Sequence, residues 1–169
     1  MTSDFNNDLT KRLAKFISEI GLEIIPTTIT VETFLPGILV ENGKLLVDES
    51  KLTYPGDLLH EAGHLAVAPA SVRPTLSGEV VLPNVAMEPV EVQAMAWSYA
   101  AILHLGLDPA IVFHADGYRG DSQKLLLNFN VGAYIGVSGL QDAGLTVTGE
   151  KAKELGVSPF PHMVKWLRD

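Results

Sequence analysis

The chain has 169 residues, of which 47% are hydrophobic, and this size and composition predict a single domain, residues 1–169, with a buried core. It has no cysteine, which excludes disulfide bonds and thiolate ligands, so any metal ion must be held by His, Asp or Glu. The formal net charge is −8 and no cluster of Lys and Arg is visible, which argues against a nucleic-acid partner.

The N-terminal segment, Met1–Asp8, has neither the basic part nor the apolar part of a secretory signal peptide. The sequence also lacks the run of about 18 apolar residues that a transmembrane helix requires. We therefore expect a cytoplasmic location and no membrane partner, and the oligomeric state is left open.

Three elements are predicted in the N-terminal part of the chain from periodicity and turn residues. They are a helix over Asp8–Ile20, one or two strands within Leu22–Phe34, and a β-hairpin over Ile38–Val47. The hairpin prediction depends on Asn42-Gly43, because this dipeptide tolerates the positive φ angles of a tight type I′ turn.

The remainder of the chain is predicted to be mostly helices and turns. The predicted elements are helices over Asp57–Val67 and Pro89–Leu105, a short strand at Glu79–Leu82, a turn-rich segment over His114–Asp121, a mostly apolar segment over Ser122–Leu140, and short helices over Glu150–Leu155 and Met163–Leu167. This mixture of elements predicts the α+β class.

The residues His60-Glu61-Ala62-Gly63-His64 form an H-E-x-x-H motif inside the helix predicted over 57–67. Residues i and i+4 share one face of a helix, so two imidazoles at this spacing can reach one metal ion. Glu61 projects about 100° away, which suits a base that acts on a metal-activated water. The alternative is a helix on which both histidines are ordinary polar surface residues.

A catalytic zinc site needs a third protein ligand and an open position for water. The extended motif with a third histidine is absent, because Val67 and Ala70 stand where it requires Gly and His. The favoured third ligand is Glu91, on the first turn of the helix predicted over 89–105, because a carboxylate among apolar neighbours needs a partner. The alternative for Glu91 is that it complements the dipole of this helix.

Several other polar side chains are alternative candidates, either as metal ligands or as hydrogen-bond donors to the substrate. Glu88 precedes Pro89 and is expected outside the helix, whereas His104 lies about 220° around the helix from Glu91. The remaining candidates are His114 and His162 for the metal, and His114, Tyr118 and Arg119 as hydrogen-bond donors to a developing oxyanion. For each of these the alternative is an ordinary surface residue.

The residues of these two helices resemble the ImmA/IrrE family of zincin metallopeptidases, in which a glutamate is the third zinc ligand. That family has an H-E-x-G-H helix followed by an E-x-x-A-x-x-F-A helix, which Glu91, Ala94 and Trp97 follow in part. The resemblance covers about a third of the chain, Leu45–Leu105, and begins with a strand at Leu45–Val47.

The resemblance implies a small zincin-like domain in which a short antiparallel sheet packs against the motif helix and a second, ligand-bearing helix. It implies that His60, His64 and Glu91 bind Zn²⁺ and that Glu61 is the catalytic base. The implied activity is hydrolysis of peptide bonds in a peptide or protein substrate by a metal-activated water.

Family members act inside cells, and several cleave transcriptional repressors, but the residues after Leu105 have no match that would define a substrate. A strand edge at Leu45–Asp48 or Glu79–Leu82 is expected to hold an extended peptide by strand addition. The alternative function is a metal-binding domain of the same fold that senses or interacts without catalysis.

Overall fold

The computed structural model describes residues 4–78 and 87–169, and of residues 87 and 88 only the backbone. Within these ranges the chain forms helices α1 (Asp8–Glu19), α2 (Asp57–Val67), α3 (Met87–His104), α4 (Ser122–Asn130), α5 (Val137–Asp142) and α6 (Gly149–Leu155), and strands β1 (Ile24–Pro26), β2 (Ile38–Glu41) and β3 (Lys44–Val47). Short 3₁₀ helices lie at Arg73–Thr75, Pro109–Ile111 and Tyr118–Gly120. The predicted α+β class is confirmed.

The sheet is mixed, so the prediction of an antiparallel sheet is only partly correct. Strands β2 and β3 form the predicted antiparallel hairpin, and Asn42 (φ 50°) and Gly43 (φ 73°) adopt the positive angles of its turn. Strand β1 pairs with β3 in parallel, so the order across the sheet is β1-β3-β2. The sequence did not reveal this direction because side-chain alternation is the same in parallel and antiparallel strands.

Because β3 is the central strand, its backbone N–H and C=O groups are paired with β1 and β2 and are not free to bind an added peptide strand. The prediction of strand addition at Leu45–Asp48 is wrong, because β3 is paired on both sides within the described sheet. Strand β2 forms an edge of the sheet among the described residues, and its Val40 carbonyl accepts a hydrogen bond from the Gly78 backbone N–H at 2.8 Å. The other predicted strand, Glu79–Leu82, lies outside the described residues.

Helices α1, α2, α3 and α6 confirm four predicted helices to within a residue or two at each end. The Asn7 side chain caps α1 by accepting hydrogen bonds from the backbone N–H groups of Leu9 and Thr10 at 2.9 and 3.1 Å. The apolar segment over 122–140 splits into α4 and α5, and Gly132 (φ 83°) and Gly136 (φ 86°) lie between them in left-handed conformations.

One of the one or two strands predicted within Leu22–Phe34 is present, as β1 at Ile24–Pro26. Another prediction of secondary structure is wrong. Met163–Leu167 is not helical, because distant groups take its backbone hydrogen bonds: Val164 donates to the Leu145 carbonyl at 2.9 Å, and the Trp166 carbonyl accepts from the Trp97 indole at 2.9 Å. Long-range pairing therefore overrides the local periodicity here.

The most extensive contact between described elements joins α2 to α3. Trp97, Leu59 and Leu65 are fully buried and belong to one core cluster that also contains residues of α1 and of the sheet. Close approach of the two helices is possible because Gly63 has no side chain: a Cβ atom there would lie 2.9 Å from the Ala94 carbonyl oxygen. This packing sets the position of α3, and hence of Glu91, relative to the motif. No helix in the described part of the chain is long and apolar enough to cross a membrane.

Replacing Gly63 with Ala is expected to lower the free energy of unfolding by up to about 2 kcal/mol. The gain in helix propensity is about 1 kcal/mol, whereas a contact with backbone atoms that forces the helices apart costs about 1–3 kcal/mol. Urea denaturation measures the change. Gly139→Ala in α5 is the matched control, because its Cβ would meet the flexible Gln93 side chain, which can move aside. Equal stability of both variants would contradict this account of the α2–α3 contact.

Candidate metal centre

The packing of α2 on α3 brings the two motif histidines and Glu91 together. The Nε2 atoms of His60 and His64 are 3.1 Å apart. Glu91 Oε1 lies 3.3 Å from His60 Nε2, and Glu91 Oε2 lies 3.1 Å from His64 Nε2. The side chains of His60 and His64 are 12% and 9% exposed, and that of Glu91 is 36% exposed, so the cluster is open to solvent on the side of Glu91.

Glu61 lies next to the two histidines. One of its carboxylate oxygens and one ring nitrogen of each histidine lie within 4.8 Å of one another, so these three residues could hold a metal ion. Glu91 lies within 3.3 Å of the Nε2 atom of each histidine. Ligand atoms about 2.0–2.1 Å from a tetrahedral zinc ion are roughly 3.3–3.4 Å apart. The two Nε2 atoms are 3.1 Å apart, and each lies 3.1–3.3 Å from a different oxygen of the Glu91 carboxylate, which is close to that spacing.

The charges in the cluster are strongly coupled. Burial raises the pKa of the Glu91 carboxyl, but hydrogen bonds from His60 and His64 and their positive charge outweigh burial and hold the pKa well below its usual range. Burial disfavours the charged form of His60, yet the hydrogen bond and charge of Glu91, together with the charges of Glu61 and Asp57, raise the pKa of His60. A cation at this position must displace the proton from His60, so its affinity is expected to fall as the pH decreases.

Glu61 is in a different electrostatic setting from Glu91. Burial raises the pKa of the Glu61 carboxyl, and this effect exceeds the opposing effect of the two histidines. The negative charge of Glu91 raises the pKa further. A raised pKa makes Glu61 a better proton acceptor, as a general base requires.

A tyrosine that lies far away in the sequence contacts the other nitrogen of His60. The Tyr118 hydroxyl is 3.0 Å from His60 Nδ1, on the ring edge that faces away from Glu91 and His64. The prediction that Tyr118 donates to an oxyanion is not supported by this placement, because the hydroxyl is directed at a histidine ring. Arg119, a second predicted donor, is exposed and has a φ of 55°.

His114, the third predicted donor, pairs with the first residue of α2. Its Nε2 is 2.8 Å from Asp57 Oδ1, and its ring stacks on Tyr54 with the centroids 3.7 Å apart. Asp57 therefore opens α2, as expected, but its side chain does not cap the helix. The Tyr54 hydroxyl donates to Asp116 in the same loop. His114 thus fastens the loop to α2 and does not join the cluster of His60 and His64.

The remaining predicted alternatives do not reach the cluster. His104 packs against Phe16 and Trp166 with ring centroids 5.8 and 5.2 Å away. His162 is exposed, and its backbone carbonyl accepts from the Thr146 hydroxyl at 2.7 Å. The side chain of Glu88 lies outside the described residues.

A cleft of about 230 Å³ borders Glu61. Edge strand β2 and the loop before it contribute most of its described lining: Glu32, Thr33, Phe34, Leu35, Ile38, Leu39 and Val40, with Gly78. Phe34 is 81% exposed and stands in that loop. The cleft is partly apolar, and Glu61, the acidic residue of the H-E-x-x-H motif, places its carboxylate at the border.

The contacts of Asp57 with His114 and of Tyr118 with His60 were not predicted from the sequence. Both join residues 57 or 58 positions apart, and no local pattern relates a tyrosine in a loop to a histidine on a distant helix. The sequence offers one signal for the contact of Asp57: an acidic residue three positions before the first histidine of the motif lies on the same face of the helix as that histidine.

Comparison with models of protein families, with curated proteins and with solved structures finds no match to this chain.

Proposed function

We propose that this protein is a zinc-dependent metallopeptidase of the zincin type, similar to the ImmA/IrrE family, that hydrolyses peptide bonds. The observation that carries the proposal is the cluster of His60, His64 and Glu91, in which the two Nε2 atoms are 3.1 Å apart and each lies 3.1–3.3 Å from a carboxylate oxygen of Glu91. Two neutral nitrogens and one carboxylate form a donor set typical of catalytic zinc.

The two carboxylates are assigned different roles on the basis of distance and charge. Glu91 contacts the Nε2 atoms of both His60 and His64, and these histidines favour its charged form by lowering its pKa, so we assign it as the third ligand. Glu61 lies beside the two histidines and its carboxyl has a raised pKa, so we assign it as the base. The opposite assignment, with Glu61 as ligand, would leave the contact of Glu91 with both histidines without a function.

When bound, zinc supplies Lewis-acid activation of a water molecule and of a substrate carbonyl group. Glu61 takes the proton from the attacking water at its carboxylate and delivers it to the nitrogen of the departing amine, so the peptide C–N bond breaks and no other reactant is needed. The partly apolar cleft beside Glu61 and strand β2 would hold the peptide or protein substrate.

A metal-binding domain that senses or interacts without catalysis is the second candidate function. The observation that distinguishes the two is Glu61, because a structural metal site has no use for a buried carboxylate beside its ligands. Bound zinc without hydrolysis of any peptide would favour this second function.

Metal removal tests the proposal directly. The purified protein is expected to hold about one zinc ion per chain and to cleave peptides from a fluorogenic library. Dialysis against a chelator should abolish cleavage, and added zinc should restore it. Absence of bound zinc, or cleavage that persists in the metal-free protein, would contradict the proposed function.

A further inference from the structure

We propose that Tyr118 is a positioning residue for His60: its hydroxyl oxygen accepts the Nδ1–H of His60 and keeps Nε2 aimed at Glu91 and His64. This inference rests on the proposed metal-binding function. In this role Tyr118 orients the imidazole of a metal ligand and does not contact the substrate.

The position of the tyrosine ring is tightly defined. Its hydroxyl is 3.0 Å from His60 Nδ1, and the two rings meet edge to face at 83° with centroids 5.4 Å apart. Phe113 stacks on the other side of the Tyr118 ring with centroids 5.3 Å apart. The hydroxyl is therefore held at one nitrogen of His60, while the other nitrogen faces Glu91.

The chemistry of imidazole explains what this contact does. A neutral imidazole that binds a cation through Nε2 carries its proton on Nδ1, and an oxygen acceptor at Nδ1 selects that tautomer and orients the ring. A neutral phenol oxygen has lone pairs that can accept the Nδ1–H.

The loop that carries Tyr118 is attached to α2 at two places on one face of the helix. The Asp57–His114 pair, at 2.8 Å, lies one turn before the Tyr118–His60 contact. Tyr118 (φ 51°) and Arg119 (φ 55°) adopt left-handed conformations that are unfavourable for residues with a side chain. Since the loop keeps these conformations, its contacts with α2 must compensate for them.

His64 differs from His60 in having no hydrogen-bond partner for its Nδ1 atom among the described residues. That Nδ1 atom is buried. Among the described residues, His60 is the motif histidine whose Nδ1 atom has a hydrogen-bond partner. Loss of the Tyr118 hydroxyl should therefore affect the geometry of His60 specifically.

Tyr118→Phe tests the inference because it keeps the ring and removes only the hydroxyl. The matched control is Tyr99→Phe, which removes a hydroxyl that lies 3.4 Å from Asn130 Oδ1 on a ring that, like that of Tyr118, packs against Phe113. Zinc affinity is measured by competition with a chelator, the geometry of the site by the visible absorption of the Co²⁺-substituted protein, and folding by the melting temperature without metal.

Tyr118→Phe is expected to weaken zinc binding about 10–100-fold and to change the Co²⁺ spectrum, while Tyr99→Phe leaves both unchanged. Unchanged zinc affinity and an unchanged spectrum in Tyr118→Phe would overturn the inference alone. A fall in kcat with wild-type zinc affinity would also overturn it, since that result assigns the hydroxyl to the substrate. Failure of the wild-type protein to bind zinc would overturn the proposed function together with this inference.

Discussion

Replacing Glu61 with Gln is expected to reduce kcat for peptide hydrolysis by roughly 10²–10⁴-fold, the range that general-base catalysis contributes. The amide has nearly the shape of the carboxylate but cannot take a proton from water. Zinc affinity should stay close to that of the parent, because Glu61 is assigned no ligand role. Steady-state kinetics on one cleaved peptide, together with zinc content, measure the two quantities separately.

Glu154→Gln is the control for the Glu61 variant. Glu154 is an exposed glutamate on α6, so this variant makes the same change of charge without touching the cluster or the cleft. It should cleave the peptide at the parental rate. A Glu61→Gln protein that keeps both its zinc and full activity would refute the proposed mechanism.

The second large effect is expected for Glu91→Ala, which should weaken zinc binding by more than about 100-fold. Removal of a residue that only supports a ligand typically costs about 10–100-fold, and loss of a ligand should cost more. The variant leaves two imidazoles 3.1 Å apart without the carboxylate that bridges them. Competition with a chelator gives the affinity, and the melting temperature of the metal-free protein shows whether α3 still packs.

The Glu91 and Glu61 variants have opposite expected results, and this makes the ligand assignment testable. Glu91→Ala should lose zinc and Glu61→Gln should keep it. The control is Glu150→Ala, which removes an exposed carboxylate paired with Lys153 on α6. If Glu91→Ala binds zinc as tightly as the parent while Glu61→Gln does not, Glu61 is the ligand and the two roles must be exchanged.

The proposed catalytic cluster could be predicted from the sequence to a considerable extent, because its spacing is a local property. His60 and His64 are one helical turn apart, and any α-helix at this place puts both on one face. Glu91 was predicted less directly, from a carboxylate among apolar neighbours near the start of a helix. The contact of Glu91 with both histidines depends on how closely α2 approaches α3 at Gly63.

Local signals also predicted the hairpin at Asn42-Gly43 and helices α1, α2, α3 and α6, since turn conformation and apolar periodicity act over a few residues. They failed at Met163–Leu167, where hydrogen bonds with the Leu145 carbonyl and the Trp97 indole replace those of a helix. They also failed for the direction of β1, which depends on its pairing with β3.

The sequence by itself determined the donors of the motif, the absence of thiolate ligands and the α+β class, because each follows from residue type or short-range spacing. Tertiary structure alone decided that Tyr118 lies at His60 Nδ1, that Asp57 pairs with His114, and that β3 has no free edge within the described sheet. The physical reason is that these contacts join residues far apart in the chain. Their distances depend on how helices, strands and loops pack around one core, and no local pattern records that packing.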